Sequence, residues 1–199
     1  SGTVTNITSG FSNIENLVGG TNTDSFTLNG GTLTGSIDGG NGTDTLTGDN
    51  VVNAWTIDND NAGTLTGLGA GFSSIENLVG GTNNDTFTFA DGKVISGTVN
   101  GGAGGANYLN FAAYTTAVNV TLTSSSATGY TGTTAGSVNP TAGFSNITRI
   151  DSSSSATNSL TGEDAATAWN ISGANSGTLT GASSTLTFTN FANLVGGTN

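Results

Sequence analysis

The chain has no cysteine, no histidine and no methionine among its 199 residues, and a single proline, Pro140. Without cysteine there is no disulfide framework, no thiolate nucleophile and no thiolate metal site. Without histidine the commonest general base and metal ligand is missing too. Basic residues are almost as scarce. Lys93 and Arg149 face 13 acidic residues, a formal charge of -11, so a phosphate backbone would be repelled and nucleic-acid binding is excluded. Charge of either sign makes up only 8% of the chain, ten carboxylates precede Lys93, and nothing charged occurs from Val94 to Thr148. No apolar run approaches the ~18 residues of a spanning helix, which argues against membrane insertion, and no secretory leader is recognisable. Avoidance of cysteine fits an exported protein. Such a chain is then expected to be a piece of something longer, or to use a signal outside these residues.

What fills the chain instead is 33 glycines with threonine, asparagine and serine. Disordered segments need high charge or abundant proline, and this chain has neither; threonine favours strands. The composition predicts a folded all-β protein with a thin core and one ordinary domain's length.

Internal repetition organises the rest. Gly71 to Phe89 reads GFSSIENLVGGTNNDTFTF, Gly10 to Leu28 reads GFSNIENLVGGTNTDSFTL, and Phe191 to Asn199 repeats FANLVGGTN. A second word, LTGDNVVNAWTIDNDNAGTLTG at Leu46 to Gly67, returns as LTGEDAATAWNISGANSGTLTG at Leu160 to Gly181. The cassettes fall at about 1–60, 61–174 and 175–199. Repetition of this kind reads as a solenoid or array.

Short words with an apolar centre between hydroxyls set the pitch. Val4, Phe26, Leu46, Leu65 and Phe87 are spaced 22, 20, 19 and 22 residues apart. Polar-apolar-polar alternation reads as a half-buried strand, and the spacing predicts one coil per ~20 residues, with those five side chains in one interior ladder. Ile14 and Leu17, Leu33 and Ile37, Trp55 and Ile57, and Ile75 and Leu78 make a second ladder. Gly19-Gly20, Gly39-Gly40, Gly80-Gly81 and Gly101-Gly102 are expected at corners. The neutral stretch 124–142 is read as a long corner or projecting loop, with a weak strand as the alternative. The fold expected is a right-handed parallel β-helix of nine to ten coils, a rod roughly 45 Å long at ~4.8 Å per strand. Neither end carries a cap, so further coils or other copies of the chain are expected to stack there.

GGNGTDTLT, Gly39 to Thr47, resembles the calcium-binding nonapeptide of RTX exoproteins, and GGTNTDSFT and GGTNNDTFT resemble variants of it. The FSNIENLVGGTN and SGTLTG words resemble the degenerate repeats of large bacterial surface proteins, the filamentous-haemagglutinin-like and RTX-like adhesins. The resemblance implies a secreted, mostly passive β-solenoid shaft at the bacterial cell surface, with a cell-surface or glycan target as a further partner. It also nominates Ca²⁺ as a cofactor. Asp24 and Asp44 occupy equivalent slots 20 residues apart, and oxygen ligands suit that hard cation. The opposing reading is that each Asp closes its own corner.

Three other functions stand beside the shaft: a self-assembling extracellular filament subunit, a calcium-dependent RTX-type module, and an ice-binding solenoid displaying threonine rows. Catalysis is not expected. Paired carboxylates such as Asp58 with Asp60, or Glu163 with Asp164, read as solvated corners without His, Cys or clustered Lys to assist. Trp55 and Trp169 read as repeated packing, Glu15 and Glu76 as solvated residues beside a buried Ile, and Lys93 and Arg149 as partners of nearby carboxylates.

Overall fold

The computed structural model describes residues 2–4, 7–155 and 157–198. Among them there is no helix, and the strands form two large mixed sheets and a two-stranded ribbon, Gly2–Val4 with Ile7–Phe11. From edge to edge the nine-stranded sheet runs Asn193–Val195, Ser159–Thr161, Val118–Ser126, Gly129–Gly136, Thr141–Ile147, Ile95–Asn100, Asn77–Val79, Thr45–Thr47 and Ser25–Thr27. The eleven-stranded sheet runs Ala168–Gly173, Ser176–Thr180, Thr185–Thr189, Arg149–Asp151, Tyr108–Asn110, Thr86–Phe89, Ala54–Asn59, Ala62–Leu65, Phe72–Ser73, Ile37–Asp38 and Leu17–Val18.

The chain passes between the two sheets, and strands that meet after such a passage pair in parallel. In one sheet Phe26, Leu46, Leu78, Val99 and Phe144 lie in register on successive strands. In the other the matching row is Trp55, Phe87, Leu109, Ile150 and Phe188. All of these but Phe26 are buried, and residues of both sheets share one hydrophobic cluster. Their flanking Thr, Ser and Asn point the other way, the period-2 alternation that the tripeptide words announce. Each buried Leu, Val or Phe contributes about 1.5–3 kcal/mol relative to an exposed one.

The spacing of about 20 residues holds for Leu17 on Ile37, Phe26 on Leu46, Leu78 on Val99 and Phe87 on Leu109. Elsewhere the stacked positions lie farther apart, because three antiparallel meanders intervene. Ala54–Asn59, Ala62–Leu65 and Phe72–Ser73 form one, Val118–Ser126, Gly129–Gly136 and Thr141–Ile147 the second, and Ala168–Gly173, Ser176–Thr180 and Thr185–Thr189 the third. Two-residue loops, Asp60-Asn61 and Ala174-Asn175, close the first hairpins of the outer two meanders, with Asn61 and Asn175 at φ of 52° and 53°, a region Asn tolerates. In every meander a glycine of the central strand faces a phenylalanine: Gly63 with Phe72, Gly132 with Phe144, Gly177 with Phe188. At Gly132 the Phe144 ring covers the place where the glycine has no side chain, and at Gly63 and Gly177 the backbone of the neighbouring strand crowds it.

These meanders correct the expected ladder. The expected single row is split: Phe26 and Leu46 lie in the nine-stranded sheet, Leu65 and Phe87 in the eleven-stranded one, and Leu65 is no parallel rung. It pairs antiparallel with Trp55, while Leu46 lies under Leu78. The stretch 124–142 is no projecting loop but the middle of the second meander. Ile37 stacks beneath Phe72, whereas Leu78 belongs to the opposite sheet. The side chain of Val4 lies outside the described residues.

Candidate functional site

The corners that lead into the strands hold most of the buried polar groups. Asp44, Asp85, Asn107 and Asn158 are fully buried in equivalent places, each just before a strand. Their side chains tie one rung to the next. Asp44 Oδ1 accepts the Asp24 N–H at 2.7 Å, Asn107 Oδ1 accepts the Asp85 N–H at 3.0 Å, and Asn158 Oδ1 accepts the Val118 N–H at 2.9 Å. Asp85 Oδ1 accepts both the N–H and the side-chain amide of Asn53, at 2.9 and 2.8 Å. Paired this way, the backbone groups of a corner have partners although no sheet ladder reaches them.

The second side-chain atom separates the amides from the acids. Asn107 Nδ2 donates to the Asn146 carbonyl, and Asn158 Nδ2 to the Asn190 carbonyl, both at 3.0 Å. Asp44 Oδ2 and Asp85 Oδ2 are buried with no partner. A Cβ on Gly80 would collide with both Asp85 Oδ2 and the Gly101 carbonyl, so two acceptors crowd one spot. Burial pushes the Asp85 carboxyl above its ordinary range, against the pull of its hydrogen bonds from Asn53.

Asp24 and Asp44 do lie on adjacent rungs, since Ser25 pairs with Thr45. Asp24 closes its own turn, its Oδ2 taking the Gly20 N–H at 2.5 Å, whereas Asp44 Oδ1 takes the Asp24 N–H on the adjacent rung. Among the described residues no group of three or more His, Cys, Asp or Glu is placed to hold a metal ion. Asp44 Oδ2 is buried with no partner, and calcium takes six to eight oxygens, so side chains alone do not supply a site for it here.

Two glutamates read from sequence as solvated are structural. Glu76 Oε2 accepts the Asp44 N–H at 2.8 Å while Oε1 accepts the Asn61 amide at 3.0 Å. Glu163 is 4% exposed, and its Oε1 accepts the Ser125 hydroxyl at 2.9 Å. Its neighbour Asp164 accepts the Thr198 N–H at 2.6 Å instead, so the adjacent carboxylates serve different partners. Asp60, in the first hairpin loop, accepts the Val94 N–H at 3.3 Å.

On the polar side of the eleven-stranded sheet, three side chains gather at the Tyr108–Asn110 and Arg149–Asp151 strands. Arg149 pairs with Asp151 at 2.7 Å and lies over the Tyr108 ring at 4.4 Å, and Tyr108 donates to Asp151 at 2.5 Å. Burial alone would raise the Asp151 carboxyl, but these hydrogen bonds outweigh it and hold the group below its usual range. The pairing expected for Arg149 is therefore found, while Lys93 makes no ion pair among the described residues. This cluster also interrupts the threonine rows, because Tyr108 and Arg149 follow Thr86 along one row and Asn110 and Asp151 follow Thr88 along the next.

Open grooves lie elsewhere on the described residues. One crosses the nine-stranded sheet between Asn77, Thr98, Thr131 and Ser145; another, at the sheets' far edge, is lined by Trp169, Ile171, Leu194 and Gly196. No helix of the described residues is long and apolar enough to cross a membrane. Compared with protein-family models, curated proteins and solved structures, the chain matches none of them.

Proposed function

We propose that the chain is a segment of a β-solenoid shaft, a passive structural or adhesive element of an extracellular, cell-surface protein of the bacterial kind its repeats resemble. In this reading each coil contributes one strand to either sheet, as in a right-handed parallel β-helix, and three meanders widen the coil locally. The observation that carries it is the in-register parallel row Phe26, Leu46, Leu78, Val99 and Phe144, with its counterpart from Trp55 to Phe188. Rows of this kind lengthen by repetition, and their stability accumulates through neighbour contacts. The buried Asp and Asn corners support the same reading, for they bind rung to rung and converge on no cleft.

Small-angle X-ray scattering tests it. Eleven strands at ~4.8 Å give a particle roughly 50 Å long, so the expected pair-distance distribution is skewed, with a long tail. A symmetric distribution, as for a sphere of the same mass, would overturn the shaft.

A further inference from the structure

The outward face of the nine-stranded sheet carries hydroxyls and amides in rows, because threonine, serine and asparagine alternate with the buried rungs. Ser25, Thr45, Asn77 and Thr98 follow one another on successive strands in one such row, and the next residue of that row is Gly143. Nothing in the backbone asks for a glycine there. Gly143 has no positive φ, and a Cβ on it would meet only the Gly132 carbonyl at 3.4 Å and the Thr98 methyl at 3.9 Å, ordinary contacts.

The other described strand glycines between Gly63 and Gly177 have their reasons. A Cβ on Gly63, Gly97, Gly132, Gly136 or Gly177 would come to 2.5 Å or less from a carbonyl oxygen, Gly129 sits at φ 132°, and Gly173 lies 2.7 Å from the Ser176 hydroxyl on the same measure. A glycine inside a strand costs backbone entropy and gives up packing, and one without a steric reason marks a place that something else approaches closely.

What Gly143 leaves open is part of the floor of the groove across this sheet, about 420 Å³ in volume and so within the range of ligand sites. It runs over five neighbouring strands, from Thr45–Thr47 to Gly129–Gly136, a span of ~19 Å at the sheet spacing. No lining residue is charged. The hydroxyls of Thr45, Thr131 and Ser145 bond to no protein group among the described residues. Asn100 gives its Oδ1 to the Gly102 N–H and the Asn146 amide, at 2.8 and 2.7 Å, which leaves its own N–H groups for the groove. Asn77 Oδ1 takes both the N–H and the hydroxyl of Thr98 at 3.0 Å, so that wall is fixed before any ligand arrives. Val79 and Phe144 add small apolar surfaces.

Uncharged donors and acceptors beside small apolar surfaces suit a ligand that is itself neutral, rich in hydroxyls and faced with C–H groups. An anion would meet no cation here and would be repelled by the net charge of -11, and a cation would find no carboxylate in the walls. An extended peptide docks by its main chain along a sheet edge, whereas this groove crosses strands that are already paired on both sides. We propose that the groove binds a neutral oligosaccharide, laid across the strands with Gly143 beneath it. The hydroxyls of Thr131 and Ser145 and the Asn100 amide address the sugar hydroxyls, Val79 takes a C–H face, and the missing side chain at 143 lets a ring reach the sheet. The proposal rests on the adhesive reading above and names the chemistry of its target.

Isothermal titration calorimetry of the full chain tests it, with cellohexaose, maltohexaose, chitohexaose and mannohexaose as neutral probes and hexagalacturonate as the acidic one. At least one neutral probe is expected to bind, and the acidic one is not. Gly143→Val is expected to weaken that binding roughly tenfold or more, while its urea midpoint stays level or rises, because the added side chain meets no clash. Thr131→Ala combined with Ser145→Ala removes two hydroxyls, leaves the floor as it is, and is expected to weaken binding as well; this pair decides if Gly143→Val unfolds. Thr187→Val, on the outward face of the other sheet, is expected to change nothing. Binding of none of the neutral probes, equal binding of hexagalacturonate, indifference to the groove variants, or an equal loss with Thr187→Val overturns the proposal. A rod-like particle that binds none of the probes would sink the groove and keep the shaft.

Discussion

At the scale of single residues, the buried corner positions set an acid and an amide in the same environment. Asn107 and Asn158 satisfy both side-chain atoms, while Asp85 leaves Oδ2 without a donor beside the Gly101 carbonyl. An asparagine at 85 would keep the Oδ1 acceptor for Asn53 and place an N–H where two oxygens now meet. The sign follows from the direction of the shift. The folded-state carboxyl is raised above its unfolded value, so its ionisation opposes folding: the cost is absent below the unfolded value and fully present above the folded one. Asp85→Asn is therefore expected to stabilise the chain at pH 7, by about 1–2 kcal/mol, and to give a much smaller gain near pH 3.5. Urea denaturation at both pH values measures this, and an equal gain at the two, or a loss at pH 7, would contradict it.

At the scale of elements, the two long words containing tryptophan fold the same way and end in different surroundings. Trp55 and Trp169 pair antiparallel with Leu65 and Leu179, yet Trp55 is 1% exposed beneath Phe87 and Trp169 is only partly buried on an edge strand. Trp55→Ala is expected to cost about 3–5 kcal/mol, the usual penalty for truncating a buried aromatic. Trp169→Ala in the monomer is expected to cost less than half of that, as read from chemical denaturation midpoints. Equal losses would mean that the edge is packed as the interior is. These words also show what the sequence made legible. Phe87, expected in one ladder with Phe26 and Leu46, stacks in the opposite sheet; the other two were readable as successive rungs because alternation and spacing survive in them. Leu65 was not, for Thr-Leu-Thr looks alike in a parallel rung and in the returning arm of a hairpin. The distinguishing signal was local: Trp55 and Leu65 are too close in sequence for a whole coil, and Asp60-Asn61 between them is a two-residue turn. The same oversight turned the Gly129–Gly136 strand into a loop, since its Thr and Gly carry little hydrophobic pattern and Gly132 depends on the Phe144 ring opposite. Asp24 and Asp44 were placed correctly on adjacent rungs. That their oxygens would be engaged by backbone N–H groups depends on corner geometry that spacing does not encode. Glu76 was missed because its partners, Asp44 and Asn61, come from a neighbouring rung and a hairpin loop.

Across the whole molecule, the heptapeptide Asn-Leu-Val-Gly-Gly-Thr-Asn, identical at 16–22, 77–83 and 193–199, acts as a built-in gauge of how stability is distributed. Amide exchange depends on intrinsic chemistry and on local opening, and the first is the same for three copies of one sequence; differences among them therefore report opening alone. In a chain stabilised by neighbour contacts, a rung with two partners opens only with its neighbours, whereas a rung with one partner frays. The copy at 77–83 has partners on both sides, and those at 16–22 and 193–199 have one each. Hydrogen exchange followed by mass spectrometry, at concentrations where the chain is monomeric, is expected to show the central copy protected at least tenfold more than either end. The ends differ as well: the 193–199 copy is held to Asn158 through both main chain and side chain, and 16–22 to Ser36 and Asp38. Equal protection in all three would mean that the molecule opens as one cooperative unit, and a shaft whose stability is built rung by rung would then be the wrong description.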